Sequence, residues 1–108
     1  MKERKYSEYY DVSYAMVTVS LTSTGKIVIT TTSAFYHGVS MIANSSRVTV
    51  TIYDTINATG GNIIDILRVN PGGQLLADKY NPVVAKNGIT AKVVGSDGEG
   101  TVFYGPKG

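Results

Sequence analysis

The sequence predicts an all-β fold: a single-domain antiparallel β-sandwich, jelly-roll-like, with about eight short strands. Three observations carry this expectation. Apolar and polar residues alternate with a period of two over short runs. The clearest run is Val48-Thr49-Val50-Thr51-Ile52-Tyr53, whose side chains leave a pleated strand on opposite faces in turn. Turn material rich in Gly, Asn and Pro separates the runs at near-regular spacing. No stretch of useful length shows the 3.6-residue period of an amphipathic helix.

Taken in order, residues 1–13 form an arm, 14–105 the sandwich and 106–108 a tail. The arm is dominated by Lys, Glu, Arg and Tyr. Tyr6, Tyr9, Tyr10 and, just past it, Tyr14 offer contact area at low entropy cost, which makes them candidate contacts with a partner or a neighbouring copy. The plainer reading of the same stretch is a frayed terminus leading into an edge strand. From Ala15 the alternation is regular, with Ala15, Val17, Val19 and Leu21 on one face. Ser23-Thr24-Gly25 supplies turn chemistry, and Lys26 to Thr32 is expected to pair back as a hairpin. Ser33 to Ala43 reads as a strand with a bulge or bend at Gly38. Asn44-Ser45 turns the chain into the strand within 46–54. There Val48, Val50 and Ile52 face inward, while Arg47, Thr49, Thr51 and Tyr53 face outward.

Asn62 to Val69 is apolar on both sides, as expected of a strand covered on both faces or of one at a subunit interface. Ile64 and Ile66 are therefore candidate interface residues. Asn70-Pro71-Gly72-Gly73 is a strong turn, because Pro presets one central position and Gly supplies positive φ at the next. Gln74 to Tyr80 fits either a strand or one helical turn, and Asn81-Pro82 is expected to end it. Val83 to Ala85 and Ile89 to Val94 read as strands about the turn Lys86-Asn87-Gly88. Gly95 to Gly100 is a loop, with a plain hairpin turn expected over Ser96 to Gly100, and Thr101 to Tyr104 closes the domain.

Composition narrows the function. A formal charge of +2 is too small and too scattered for the electrostatic footprint of a nucleic-acid binder. No run approaches the roughly 18 apolar residues of a membrane-spanning helix, and the first residues carry charge without the apolar segment of a secretory signal. The absence of cysteine excludes disulfides, thiolate catalysis and cysteine-based metal sites. Charged residues make up 17%, which suggests a surface coated in Thr and Ser or covered by neighbouring subunits.

Reactive groups are sparse. His37 is the single histidine, and a lone histidine beside aromatic residues is ordinarily hydrogen-bonded structure. The carboxylates, Asp54, Asp65 and Glu99 among them, fall mostly in turns or at strand ends, where such residues cap and solvate. Ser96 to Gly100 lacks the ligand spacing of a calcium loop, and its glycines open no helix that would cradle a phosphate. The expectation is a protein without catalytic residues, cofactor or metal.

The succession Phe35-Tyr36-His37-Gly38-Val39-Ser40, then Val48 to Asp54, Ala58-Thr59-Gly60, Asn87-Gly88-Ile89, Val93-Val94-Gly95 and Thr101-Val102-Phe103-Tyr104 resembles small structural proteins of tailed bacteriophages: head fibres, capsid decoration proteins and virion-associated modules. The same order of strands and turns recurs there, and the match covers about residues 34 to 104. Two features depart from it. Gly105 stands where a terminal Arg is often found, and the tyrosine-rich arm lies outside the match. The resemblance implies a non-enzymatic virion protein that binds the major capsid protein or another virion protein as a homo-oligomer, a trimer in the first instance. A second reading is a carbohydrate- or receptor-binding sandwich of a phage tail or baseplate, in which exposed Tyr36, Tyr53 and Tyr80 would stack on sugar rings.

Overall fold

The computed structural model describes residues 17–21, 24–57, 60–95 and 98–106, and among them the chain is all-β, with no helix. Eight strands follow in order: β1 (Val17–Leu21), β2 (Gly25–Thr30), β3 (Ala34–Ala43), β4 (Val48–Tyr53), β5 (Ile63–Val69), β6 (Gln74–Ala85), β7 (Ile89–Val94) and β8 (Gly98–Pro106). They form two four-stranded antiparallel sheets. Sheet I has the order β1-β8-β3-β6 and sheet II the order β2-β7-β4-β5. The pairs are nested about the middle of the chain, β4 with β5, β3 with β6, β2 with β7 and β1 with β8. This is the wound hairpin of a jelly roll. The tyrosine-rich segment through Tyr14 lies outside the described residues.

The nesting corrects the expected β1–β2 hairpin. β1 pairs with β8 in sheet I and β2 with β7 in sheet II, so the turn before Gly25 carries the chain from one sheet to the other. Likewise β8 pairs with β1 and β3 and not with β7, so the connection through 96–97 is a crossing and not a hairpin turn. Among sequential neighbours only β4 and β5 are partners. Glycine turns serve both kinds of connection, which is why turn chemistry alone did not separate them.

A further correction concerns Asn81-Pro82. β6 runs through it as one strand of 12 residues, because β6 is the edge of sheet I, where a missing N–H costs no ladder bond. The irregularity is absorbed as a wide bulge. Between the pairs Tyr36–Val83 and Gly38–Asp78, β3 advances by two residues and β6 by five. Gly38 lies at this bulge with φ near 148°, as the sequence anticipates. Pro106, assigned to the tail by sequence, closes β8 opposite Ala34.

The core lies between the sheets. Val48, Val50 and Ile52 are fully buried, as predicted, and they meet Val39, Met41 and Val102 of sheet I in one apolar cluster. Each such side chain contributes about 1.5–3 kcal/mol by leaving water. Tyr53, expected to face water, is buried instead. Two glycines set how closely β8 and β3 approach. A Cβ on Gly98 would sit 2.7 Å from the Ile42 carbonyl oxygen, and one on Gly100 would overlap the Ser40 carbonyl oxygen. At the turn after β5, Gly73 N–H donates to Asn70 O at 2.9 Å and Gly72 has φ 79°, a type II turn with Pro71 in its preferred place.

Val50→Asp places an unpaired charge at the centre of this cluster. The expected loss, about 4 kcal/mol or more, consumes most of an ordinary domain's stability, so circular dichroism should show no cooperative melting transition.

Candidate functional site

Three surfaces and one buried link organise the molecule's polar and apolar chemistry. The link joins the sheets. Tyr36 points inward from β3 with no exposed surface, and its hydroxyl donates to Asp65 Oδ2 on β5 at 2.9 Å. Asp65 also accepts from the Ile66 N–H at 3.0 Å through Oδ1. Burial first, then the bond to Asp65 and its negative charge, hold the Tyr36 phenol well above the ordinary tyrosine range.

The first surface is one end of the sandwich. Asp54 receives the Lys86 and Asn87 N–H groups at 3.1 and 2.9 Å, tying the loop after β4 to the loop after β6. Thr90 Oγ1 donates to Thr55 O at 3.1 Å in the same place. These loops, with Thr31, Thr32 and Ser33, enclose an open recess of about 590 Å³. Both Asp54 oxygens are engaged with backbone, the capping role that turn carboxylates are expected to play.

The second surface is the outer face of sheet II. Lys26 and Lys92 lie directly opposite each other across β2 and β7, and Arg68 stands exposed on β5 opposite Thr49. Val94, 54% exposed, is the other neighbour of Thr49. The outward placement of Thr49 and Thr51 agrees with the sequence reading.

The third surface is the outer face of sheet I. Register places Ile42, Leu76, Val84, Phe35 and Phe103 on it together. Leu76 is 63% exposed and Ile42 and Val84 are each 41% exposed. A groove of about 390 Å³ crosses this face, lined by Ser40, Ile42, Gln74, Leu75, Leu76 and Phe103, with Met41 beneath.

Of the residues singled out by sequence, Tyr6, Tyr9, Tyr10 and Tyr14 lie outside the described residues. Ile64 and Ile66 are on β5, the edge of sheet II. Of the two expectations for that strand, cover on both faces within the domain is not met, since Ile63 and Ile66 are exposed and only Leu67 and Val69 are buried, while exposed Ile66 is compatible with the other, a subunit interface. Ile64 occupies a bulge opposite the Ile52–Tyr53 step and packs partly against the core. The tyrosine platform of the sugar-binding reading is not formed, since Tyr36 and Tyr53 are buried, and the Tyr80 side chain is outside the description. The sheet I face was missed, although the doublets Leu75-Leu76 and Val83-Val84 signalled it: in a one-sided strand one member of each must face out. His37 is half-buried on β3 beside the β6 bulge. Among the described residues no group of three or more His, Asp or Glu side chains is placed to hold a metal ion.

No family model and no curated protein matches the chain. Among solved structures, hydroquinone 1,2-dioxygenase from Sphingomonas sp. TTNP3 with 4-hydroxybenzoate bound aligns with 86% of this chain and 60% of its own, at 12% identity and a TM-score of 0.38. Hydroquinone 1,2-dioxygenase PnpCD in complex with Cd2+ and 4-hydroxybenzonitrile aligns with 87% of this chain and 59% of its own, at 16% identity and a TM-score of 0.29. The chain thus spans about three-fifths of the solved chains it matches. Likeness at this level bears on neither chemistry nor partners.

The Tyr36–Asp65 link gives a pH signature. In the unfolded chain the phenol ionises near pH 10, whereas the folded protein keeps the proton. The contribution is therefore complete below about pH 10 and is lost as pH rises above it. Tyr36→Phe should lower stability by about 1–3 kcal/mol at neutral pH. In urea titrations from pH 8 to 11, it should also show a smaller alkaline fall than the wild type.

Proposed function

We propose that the protein is a non-enzymatic structural component of a bacteriophage virion, attached to the capsid surface as a decoration or head-fibre module and working as a homo-oligomer. The observation that carries this reading is the outer face of sheet I, where Ile42, Leu76 and Val84 stand in solvent on a rigid four-stranded sheet. Exposed apolar area of this kind marks an interaction site, and a flat sheet face fits a protein surface better than a small molecule. The resemblance of residues 34 to 104 to phage structural proteins supports the same reading. Apart from Ala58-Thr59-Gly60, where 58–59 lie outside the described residues, its segments fall on β3, β4, β7 and β8 and at the Gly88 and Gly95 turns, the parts that build the scaffold.

A module of this type works by presenting one surface many times over on a repeating lattice, and it requires stiffness more than reactivity. The partner is the major capsid protein or a neighbouring virion protein, and the location is the virion. Purified protein mixed with cognate capsids lacking it should co-sediment and saturate at a fixed ratio to the capsid subunit. Absence of co-sedimentation would sink the proposal.

A further inference from the structure

We infer that two copies of this chain pair face to face through the outer surface of sheet I, about a two-fold axis near Ser40. The contrast between the two outer faces identifies the surface. On sheet II, Lys26 and Lys92 already oppose each other within one copy, and Arg68 stands on the same face. Pressing two such faces together would bury like charges against like. On sheet I, Phe35, Ser40, Ile42, Leu76, Val84 and Phe103 face outward, and Glu99, near the Ile42 end, is the carboxylate described there. Among the described side chains the middle of this face is poor in charge and rich in aromatic and aliphatic groups, with a polar rim, which is the composition of a protein interface core.

Area agrees with this choice. β3 and β8 run together over Ala34 to Ala43. Three strands about 30 Å long and β1 of about 17 Å, spaced about 4.8 Å apart, give a footprint of about 500 Å² on each copy, or about 1,000 Å² for the pair. That reaches the roughly 1,000 Å² a specific interface needs. Symmetry agrees as well. The apolar groups are spread along the face, with Phe35 and Val84 towards one end, Leu76 and Phe103 in the middle and Ile42 towards the other. A two-fold through the centre therefore sets apolar ends against each other and fills the groove beside Leu76 from the partner. An isologous pairing closes as a dimer, in contrast to the trimer that the phage resemblance implies. The inference deepens the assembly reading by giving this face to the contact between copies, which leaves the remaining surface to meet the capsid; it is tested without capsids, so a monomer that still co-sediments would keep that reading and overturn this one.

Sedimentation equilibrium of the full chain should give the dimer mass at micromolar concentration. Leu76→Lys, at an exposed position, should keep the wild-type melting curve and weaken self-association more than about tenfold, because the axis brings the new charge in twice. Val94→Lys, on the other sheet, should leave the dimer intact. Since the chain has no cysteine, Ser40→Cys provides an independent readout. Packed sheets lie about 10 Å apart, too far for a disulfide, so a short bis-maleimide should cross-link Ser40→Cys into dimers but not Thr49→Cys. A monomer or trimer mass for the wild type, a dimer that survives Leu76→Lys, or equal cross-linking at both positions would overturn the inference.

Discussion

The constraint on which the rest of this structure depends is that each sheet must be covered by the other along one face and left uncovered on its opposite face. Val48, Val50 and Ile52 meet that constraint on sheet II, and Val39, Met41 and Val102 meet it on sheet I. The chain achieves it by nesting its pairs, so that nearly every connection crosses from one sheet to the other. The close approach of β8 to β3 at Gly98 and Gly100 and the Tyr36–Asp65 bond between sheets follow from the same demand. The first lets two backbones lie flush, and the second satisfies a hydroxyl that the dry space would otherwise leave unpaired.

Strand identity was legible in the sequence because the period of two is a local property of a pleated chain. The inward set of β4, the bulge at Gly38 and the type II turn at Gly72 all follow from residues within a few positions of one another. Partnership was not legible, because β1 meets β8 across most of the chain and nothing in either strand encodes that separation. Pro82 misled for a related reason. Its effect depends on whether the strand is central or at an edge, which is a property of the sheet and not of the segment. For Asn62 to Val69 the double-burial expectation failed because a run apolar on both sides marks burial within the domain only when the strand is interior, and β5 is not.

The candidate surface was the least legible part. Phe35, Ile42, Leu76, Val84 and Phe103 lie on three strands that are far apart in sequence and adjacent only in the sheet. Each taken singly is an unremarkable strand residue. Their meaning comes from the register, which stacks β3, β6 and β8 so that the outward positions align. Tyr36 shows the converse. It looked like a ligand-stacking aromatic, yet its parity on β3 turns it inward, where its hydroxyl requires a partner and finds Asp65.

The edges explain why association through a face is favoured over association by strand addition. An open sheet edge offers unpaired backbone groups to any passing strand, and native proteins block it. β6 carries Pro82 and a bulge that absorbs three extra residues. β5 carries a bulge of its own, and the Ile66 N–H is already taken by Asp65. β2 breaks its register between Val28 and Thr30 and presents Lys26. With these three edges interrupted, added strands would find no continuous ladder along any of them, and the fourth edge, β1, is only 5 residues long, which limits what could be added to it. The outer face of sheet I has no comparable guard, since its central strands are regular over Gly38 to Ala43 and its outward residues there are uncharged on β3. In a chain with 17% charged residues, guarding the edges while leaving one broad neutral face steers contact to that face, and gives it the fixed geometry that repeated assembly requires.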